Sequence, residues 1–273
     1  MSRSLSSLEA KLILHFEWEK QPVVTVEDAA RILDISPAYA RKVLQRLARD
    51  HWLTRIVPGK YELIPAERGE YAFPDKNPLF LGSHLVSPYY FSYATSAYYH
   101  GLTTQASQME YLATIEGKTR KLLVRDKVYQ IVRQPPHLFF GFGEVKAYGS
   151  QVMMAESEKT ILDCLHRPIY CGDIPEVAAM LWRGKSRLQW DNITEYTLRF
   201  KSQSLIQRLG YLIEVLRLPL GEENTENLLS KVKGNVCYLG QPSRWEQGGN
   251  YDARWKVVDN IPDRELLAET EVH

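Results

Sequence analysis

Apolar residues recur at helical spacing three times within the first fifty positions. Leu5, Leu8, Leu12 and Phe16 share one face of a helix that must end before Pro22. Thr25 is a good N-cap for a second helix, with Glu27 and Asp28 in the first turn where the helix dipole favours anions. Its apolar positions, Val26, Ala29, Ala30 and Leu33, fall at i, i+3, i+4 and i+7. Ser36 followed by Pro37 opens a third helix, and Ala40, Val43, Leu44 and Leu47 repeat the spacing. Only Asp34-Ile35-Ser36 separates the second and third patterns, which reads as helix-turn-helix. The pattern then turns strand-like. Trp52 to Val57 and Lys60 to Ile64 flank the turn signal Pro58-Gly59, which predicts a hairpin. Three helices and a hairpin predict an N-terminal winged helix-turn-helix over residues 1–70.

The proline-rich stretch 65–78 reads as a linker. Beyond it, residues 75–273 read as a mixed α+β domain, strands first and helices after. Ser87 with Pro88 and a stop at Gly101 predicts a helix that buries tyrosine rings with hydroxyls at its rim. Strand-like stretches follow at 111–115, 121–124, 129–132, 138–142, around Val145 and at 152–155. Helical spacing returns at 157–165, 174–184, 192–200 and from Ser202 to Pro219. Past residue 222 the signal weakens to one helix at 224–233 and a short strand at 254–258. The tail from Pro262 reads as frayed.

Composition adds limits. Of 273 residues, 44% are apolar and 25% charged, which are globular values that exclude a disordered or fibrous chain. No apolar run reaches the ~18 residues that would span a bilayer. Met1 to Leu5 leads directly into an amphipathic pattern and not into a secretory signal, so no membrane association is expected. Three cysteines are too few for a disulfide framework, and a cytoplasmic location follows.

Net charge is only +1, yet its distribution is uneven. Residues 1–35 hold four cations and six anions, a sum of −2; residues 36–60 hold six cations and one anion, a sum of +5. Concentrated positive charge attracts polyanions. The third helix supplies the candidate residues. Its non-core face presents Arg41, Lys42, Gln45 and Arg49, flanked by Tyr39 and Arg46. Such a helix enters the major groove, where Arg pairs with guanine and Gln with adenine. Ser36 at the helix start suits a phosphate, and Arg55 and Lys60 on the hairpin suit the backbone or the minor groove.

Enzyme chemistry finds little support. Cys164, His166 and Cys171 fall one ligand short of a closed zinc site, and Cys164 reads as core. Gly141-Phe142-Gly143 lacks the later Gly and Lys-Ser/Thr of a phosphate loop and reads as a turn. Asp75, Glu116 and Lys118 have the residue types of a metal nuclease but are widely separated. Glu158 and Asp163 read as a cap and surface charges at a helix start. No catalytic residue, cofactor or metal is expected.

Two blocks carry a resemblance. Ser96 to Leu102 follows a Ser-Ala-x-x-His-Gly-Leu pattern, and Glu158-Lys159-Thr160-Ile161-Leu162-Asp163 follows Glu-Arg-Thr-x-Leu-Asp, continuing through Arg167-Pro168 to Gly172 and Glu176-Val177. Over roughly residues 75–220 the chain resembles the AbiEi-type antitoxins of type IV toxin–antitoxin systems, linked to abortive phage infection. Lys159 stands where arginine is usual and Cys171 where glycine is common. The resemblance implies a winged helix that binds inverted or direct repeats in its own promoter and represses its operon. It also implies an antitoxin domain that opposes a nucleotidyltransferase-like toxin, directly or functionally. The residues alone fit two other readings: a ligand-responsive winged-helix regulator unrelated to a toxin, and an interaction module built on the tyrosine-rich segment.

Overall fold

The computed structural model describes residues 4–69, 74, 77–245 and 248–270, and the chain is of mixed α and β structure. It divides into two compact units, one of residues 1–87 with 123–126 and one of residues 88–122 with 127–273. Of the expected linker, residues 70–73 and 75–76 lie outside the described residues. Among the described residues, no helix is long and apolar enough to cross a membrane.

In the first unit, α1 (Ser7–Trp18), β1 (Val23–Thr25), α2 (Val26–Leu33), α3 (Pro37–Arg49), β2 (Leu53–Val57), β3 (Lys60–Leu63) and a short α4 (Pro78–Ser83) follow in order. Local side chains set the helix ends. Ser6 and Glu9 form a reciprocal capping box at the start of α1. The Asp28 N–H donates to the Thr25 hydroxyl at 3.0 Å. Asp34 turns into the left-handed region at φ +55° and ends α2. The Tyr39 N–H donates to the Ser36 hydroxyl at 3.3 Å, with Pro37 opening α3. The strands form an antiparallel sheet in the order β1-β3-β2. Its first strand, Val23–Thr25, has no counterpart among the elements expected from the sequence. Leu12, Phe16, Val24, Ala29, Val43 and Leu44 meet in a core with almost no solvent contact. Each fully buried Leu, Val or Phe side chain among them stabilises the fold by about 1.5–3 kcal/mol.

The second unit opens with β4 (Tyr90–Phe91) and α5 (Tyr93–Tyr99), where the sequence predicts a single helix from Ser87 to Gly101. Tyr90 and Phe91 pair antiparallel with β5 (Met109–Thr114) on one side. The helix starts only after Ser92. β6 (Arg120–Val124), β7 (Lys127–Arg133), β8 (Phe142–Ala147) and β9 (Ser150–Ala155) complete a mixed sheet in the order β6-β7-β5-β4-β9-β8. The expected strand 138–142 is instead a 3-10 turn at Pro136–Leu138 followed by β8. Two prolines, Pro135 and Pro136, favour the turn over ladder hydrogen bonds there.

Helices α6 (Ser157–His166), α7 (Ile174–Gly184), α8 (Trp190–Phe200), α9 (Gln203–Val215) and α10 (Glu222–Ser230) follow, close to the expected spans. A small sheet of β10 (Cys237–Tyr238), β11 (Asn250–Asp252) and β12 (Val257–Asp259) has β12 at its centre. The tail is not frayed from Pro262: α11 (Asp263–Leu266) buries Leu266, while residues 271–273 lie outside the described residues. The core of this unit runs from Tyr93 through Ile161, Val177 and Leu209 to Trp255.

Candidate nucleic-acid interface

One face of α3 is core and the other is free. Ala40, Val43, Leu44 and Leu47 are buried, so the positions between them must point outward at 100° per residue. Tyr39, Arg41, Lys42, Gln45 and Arg49 are all exposed. Among the described residues, neither Arg41 nor Lys42 has a carboxylate within 4.0 Å. Arg49 Nε lies 3.1 Å from Asp50 Oδ1 at the surface, a pairing worth little in water. Ser36 is exposed at the helix start, its hydroxyl accepting from the Tyr39 N–H.

Arg46 behaves differently. Its Nε donates to Glu9 Oε1 at 3.0 Å, tying α3 to the capping box of α1. The Glu9 carboxylate and then the Tyr39 hydroxyl hold its guanidinium more firmly protonated than usual. Burial pushes the Glu9 carboxyl up, but the Ser6 hydroxyl, the Ser6 N–H and Arg46 outweigh it, and Glu9 titrates below its ordinary value. On the hairpin, Arg55 is exposed on β2. Lys60 Nζ donates to the His84 carbonyl at 2.9 Å. Burial, and then the Lys60 charge, depress the His84 imidazole to about 4. The structure thus brings five candidates onto one helix face. Arg46 sits at its edge in a structural ion pair, and Lys60 is anchored to backbone.

A second cluster lies in the other unit and is sealed from solvent. Lys159 and Asp163, one turn apart on α6, form an ion pair at 0% and 1% side-chain exposure. Lys159 Nζ also donates to the Tyr90 hydroxyl at 2.9 Å, and the Phe140 and Phe200 rings lie 5.2 and 4.9 Å from it. Asp163 accepts from the Ser92 hydroxyl at 2.7 Å and from Gln134 Nε2 at 3.3 Å. Because Ser92 donates to Asp163, it makes no side-chain cap on α5. Gln134 Nε2 donates to the Tyr93 hydroxyl at 3.0 Å, so that ring meets a polar partner in the core and not at a rim. Burial lowers the Lys159 ammonium, with Asp163 opposing; burial and Asp163 raise both tyrosine phenols.

Both blocks of the resemblance meet here. The Thr160 hydroxyl donates to the Ser96 hydroxyl at 2.9 Å, and His100 Nε2 donates to the Ala155 carbonyl at 2.6 Å. Glu158 and Asp163 are therefore not a cap and surface charges. Both are buried, Glu158 accepting from the Gln189 N–H at 2.8 Å. Tyr90, Ser92 and Gln134 were not singled out by the sequence; the i, i+4 spacing of Lys159 and Asp163 on an apolar helix was the available signal.

Of the remaining sequence candidates, Cys164 and Cys171 meet thiol to thiol in the core. Cys164 is core, and the Cys171 thiol donates to the Pro168 carbonyl at 3.4 Å. His166 stands edge-on to Phe200 with centroids 5.4 Å apart. Gly141, at φ +66°, lies just before β8, and Gly143 is within that strand. Glu116 and Lys118 are exposed between β5 and β6, and Asp75 lies outside the described residues. Among the described residues, no group of three or more His, Cys, Asp or Glu is placed to hold a metal ion.

Neither a protein-family model nor a curated protein matches the chain. Among solved structures, the crystal structure of the RV2827C protein from Mycobacterium tuberculosis superposes with a TM-score of 0.66. The match covers 99% of this chain and 97% of that one at 17% identity, a likeness of fold alone.

Proposed function

We propose that the protein is a cytoplasmic DNA-binding antitoxin of a type IV toxin–antitoxin system, without catalysis of its own. In this reading residues 1–70 are a winged helix-turn-helix that represses the protein's own operon. The following α+β domain opposes a nucleotidyltransferase-like toxin. One observation carries the DNA half: the exposed face of α3, where Arg41 and Lys42 have no carboxylate partner among the described residues and stand beside Gln45 and Arg49. Unpaired cations beside an amide side chain suit a phosphate backbone and base edges together. Tyr39, Ser36 and Arg55 add contacts at the margins, while Arg46 and Lys60 chiefly hold that surface in place. The toxin half rests on the resemblance of Ser96–Leu102 and Glu158–Asp163, two blocks that pack against each other.

The test is a mobility shift on the promoter upstream of the gene, paired with co-expression beside the neighbouring open reading frame. Replacing Arg41 and Lys42 with Ala is expected to abolish the shift and to leave growth rescue intact. An unchanged shift refutes the DNA half. Failure of the native chain to rescue growth from a toxic neighbour refutes the toxin half.

A further inference from the structure

We propose that α1 carries a face for a second copy of this chain, with Leu14 and Trp18 at its centre. The two side chains are 63% and 83% exposed, and neither belongs to the core that the rest of α1 builds. Large apolar side chains side by side on a soluble helix call for a partner. Trp18 stands one turn after Leu14, and Lys11 and Ser7 continue the same stripe toward the N-terminus, all exposed.

The stripe is complementary to itself. Lys11 lies three residues before Leu14 and Trp18 four after it. A two-fold axis through Leu14, with the helices antiparallel, sets Leu14 on its mate and each Lys11 over the Trp18 indole of the other copy. Lys11 has no carboxylate within 4.0 Å among the described residues, so its ammonium is free for that ring. The same axis repeats each contact twice, as an isologous interface requires. Ser7 and Ala10 are small and leave room for the close approach. The stripe offers on the order of ~400 Å² per chain, about half of a standard stable interface, so the association is weak in free solution.

The inference stands without the DNA reading, because its test uses the protein alone. Sedimentation equilibrium of the full chain from about 5 to 500 μM is expected to show a weight-average mass rising from one chain toward two, as a small interface gives. Leu14→Glu is expected to weaken association about tenfold or more, and Trp18→Ala similarly, because both sit at the centre of the contact. Both positions are exposed, so circular dichroism should show an unchanged fold. A Lys11→Cys chain mixed with a Trp18→Cys chain is expected to form mixed disulfides in preference to either homodimer. A native chain that stays monomeric throughout, or a dimer undiminished by Leu14→Glu, overturns the proposal. No preference for mixed disulfides overturns the antiparallel register.

Discussion

The ammonium of Lys159 and the carboxylate of Asp163 neutralise each other where neither meets water. A buried pair of this kind adds little net stability over apolar residues, but losing one partner is costly. Asp163 also accepts from Ser92, Tyr90 and Gln134, so removing it takes an acceptor from four donors at once. Asp163→Ala is expected to destabilise the second unit by about 3–5 kcal/mol. Lys159→Met combined with Asp163→Leu is expected to cost less than Asp163→Ala alone. Urea unfolding monitored by tryptophan fluorescence measures both; equal losses would show that the charge is not what matters.

That pair also marks where the sequence was legible and where it was not. The spans of α2 and α3 could be read because each cap and each apolar stripe lies within about a dozen residues. Thr25, Ser36 and Pro37 act on their own helix. The β4 strand could not be read. Ser87-Pro88 looks like a helix start, but Tyr90 and Phe91 lie between β5 and β9, partners that come much later in the chain. Tertiary pairing overrides local propensity there. The exposed face of α3 was visible from spacing alone. That Arg46 belongs to Glu9, and Lys60 to the His84 carbonyl, was not, because each partner lies on another element.

Acid should weaken the first unit in two steps. His84 is held neutral in the fold, with its imidazole lowered to about 4 from 6.5. Above 6.5 both folded and unfolded chains are neutral at this position. As pH falls from 6.5 toward 4 the unfolded chain takes up the proton first, and stability is lost. Glu9 is also depressed; its contribution is complete above its unfolded value of 4.5 and disappears as pH falls through the folded value. His84→Phe, which keeps a ring and the carbonyl that Lys60 uses, should flatten the curve between pH 6.5 and 4. Glu9→Gln should flatten it only below about 4.5 and cost about 1–2 kcal/mol at neutral pH through the weakened cap and ion pair. Melting temperatures across pH 3–8 decide; identical slopes in all three proteins would contradict both assignments.

Trp255 is seated on α9 through a position without a side chain. A Cβ added at Gly210 would run into the indole ring, which is fully buried. Gly210→Ala is therefore expected to destabilise by about 1–3 kcal/mol or more, despite the better helix propensity of alanine. Trp255→Leu in the same chain should recover part of that loss. Chemical denaturation of the two single variants and the double variant gives the coupling; strict additivity would show that the two residues do not meet.

Arg41 and Lys42 on one side and Arg46 on the other separate binding from support. If α3 lies in a duplex groove, each phosphate left without its cation lowers the slope of log K against log salt by about 0.9. Arg41→Ala and Lys42→Ala should each show that change with no effect on melting temperature, since among the described residues neither side chain is held in an ion pair. Arg46→Ala should differ. It leaves the buried Glu9 carboxylate without its cation, so thermal stability should fall together with affinity. Lys42 and Arg46 exchanged for Ala together should flatten the salt dependence about as much as Lys42→Ala alone, and lower the melting temperature besides. A salt titration of promoter binding beside a melt of each variant reads both quantities. Unchanged affinity and slope in the Lys42 and Arg46 variants would remove α3 from the interface, whatever the charge of its surface.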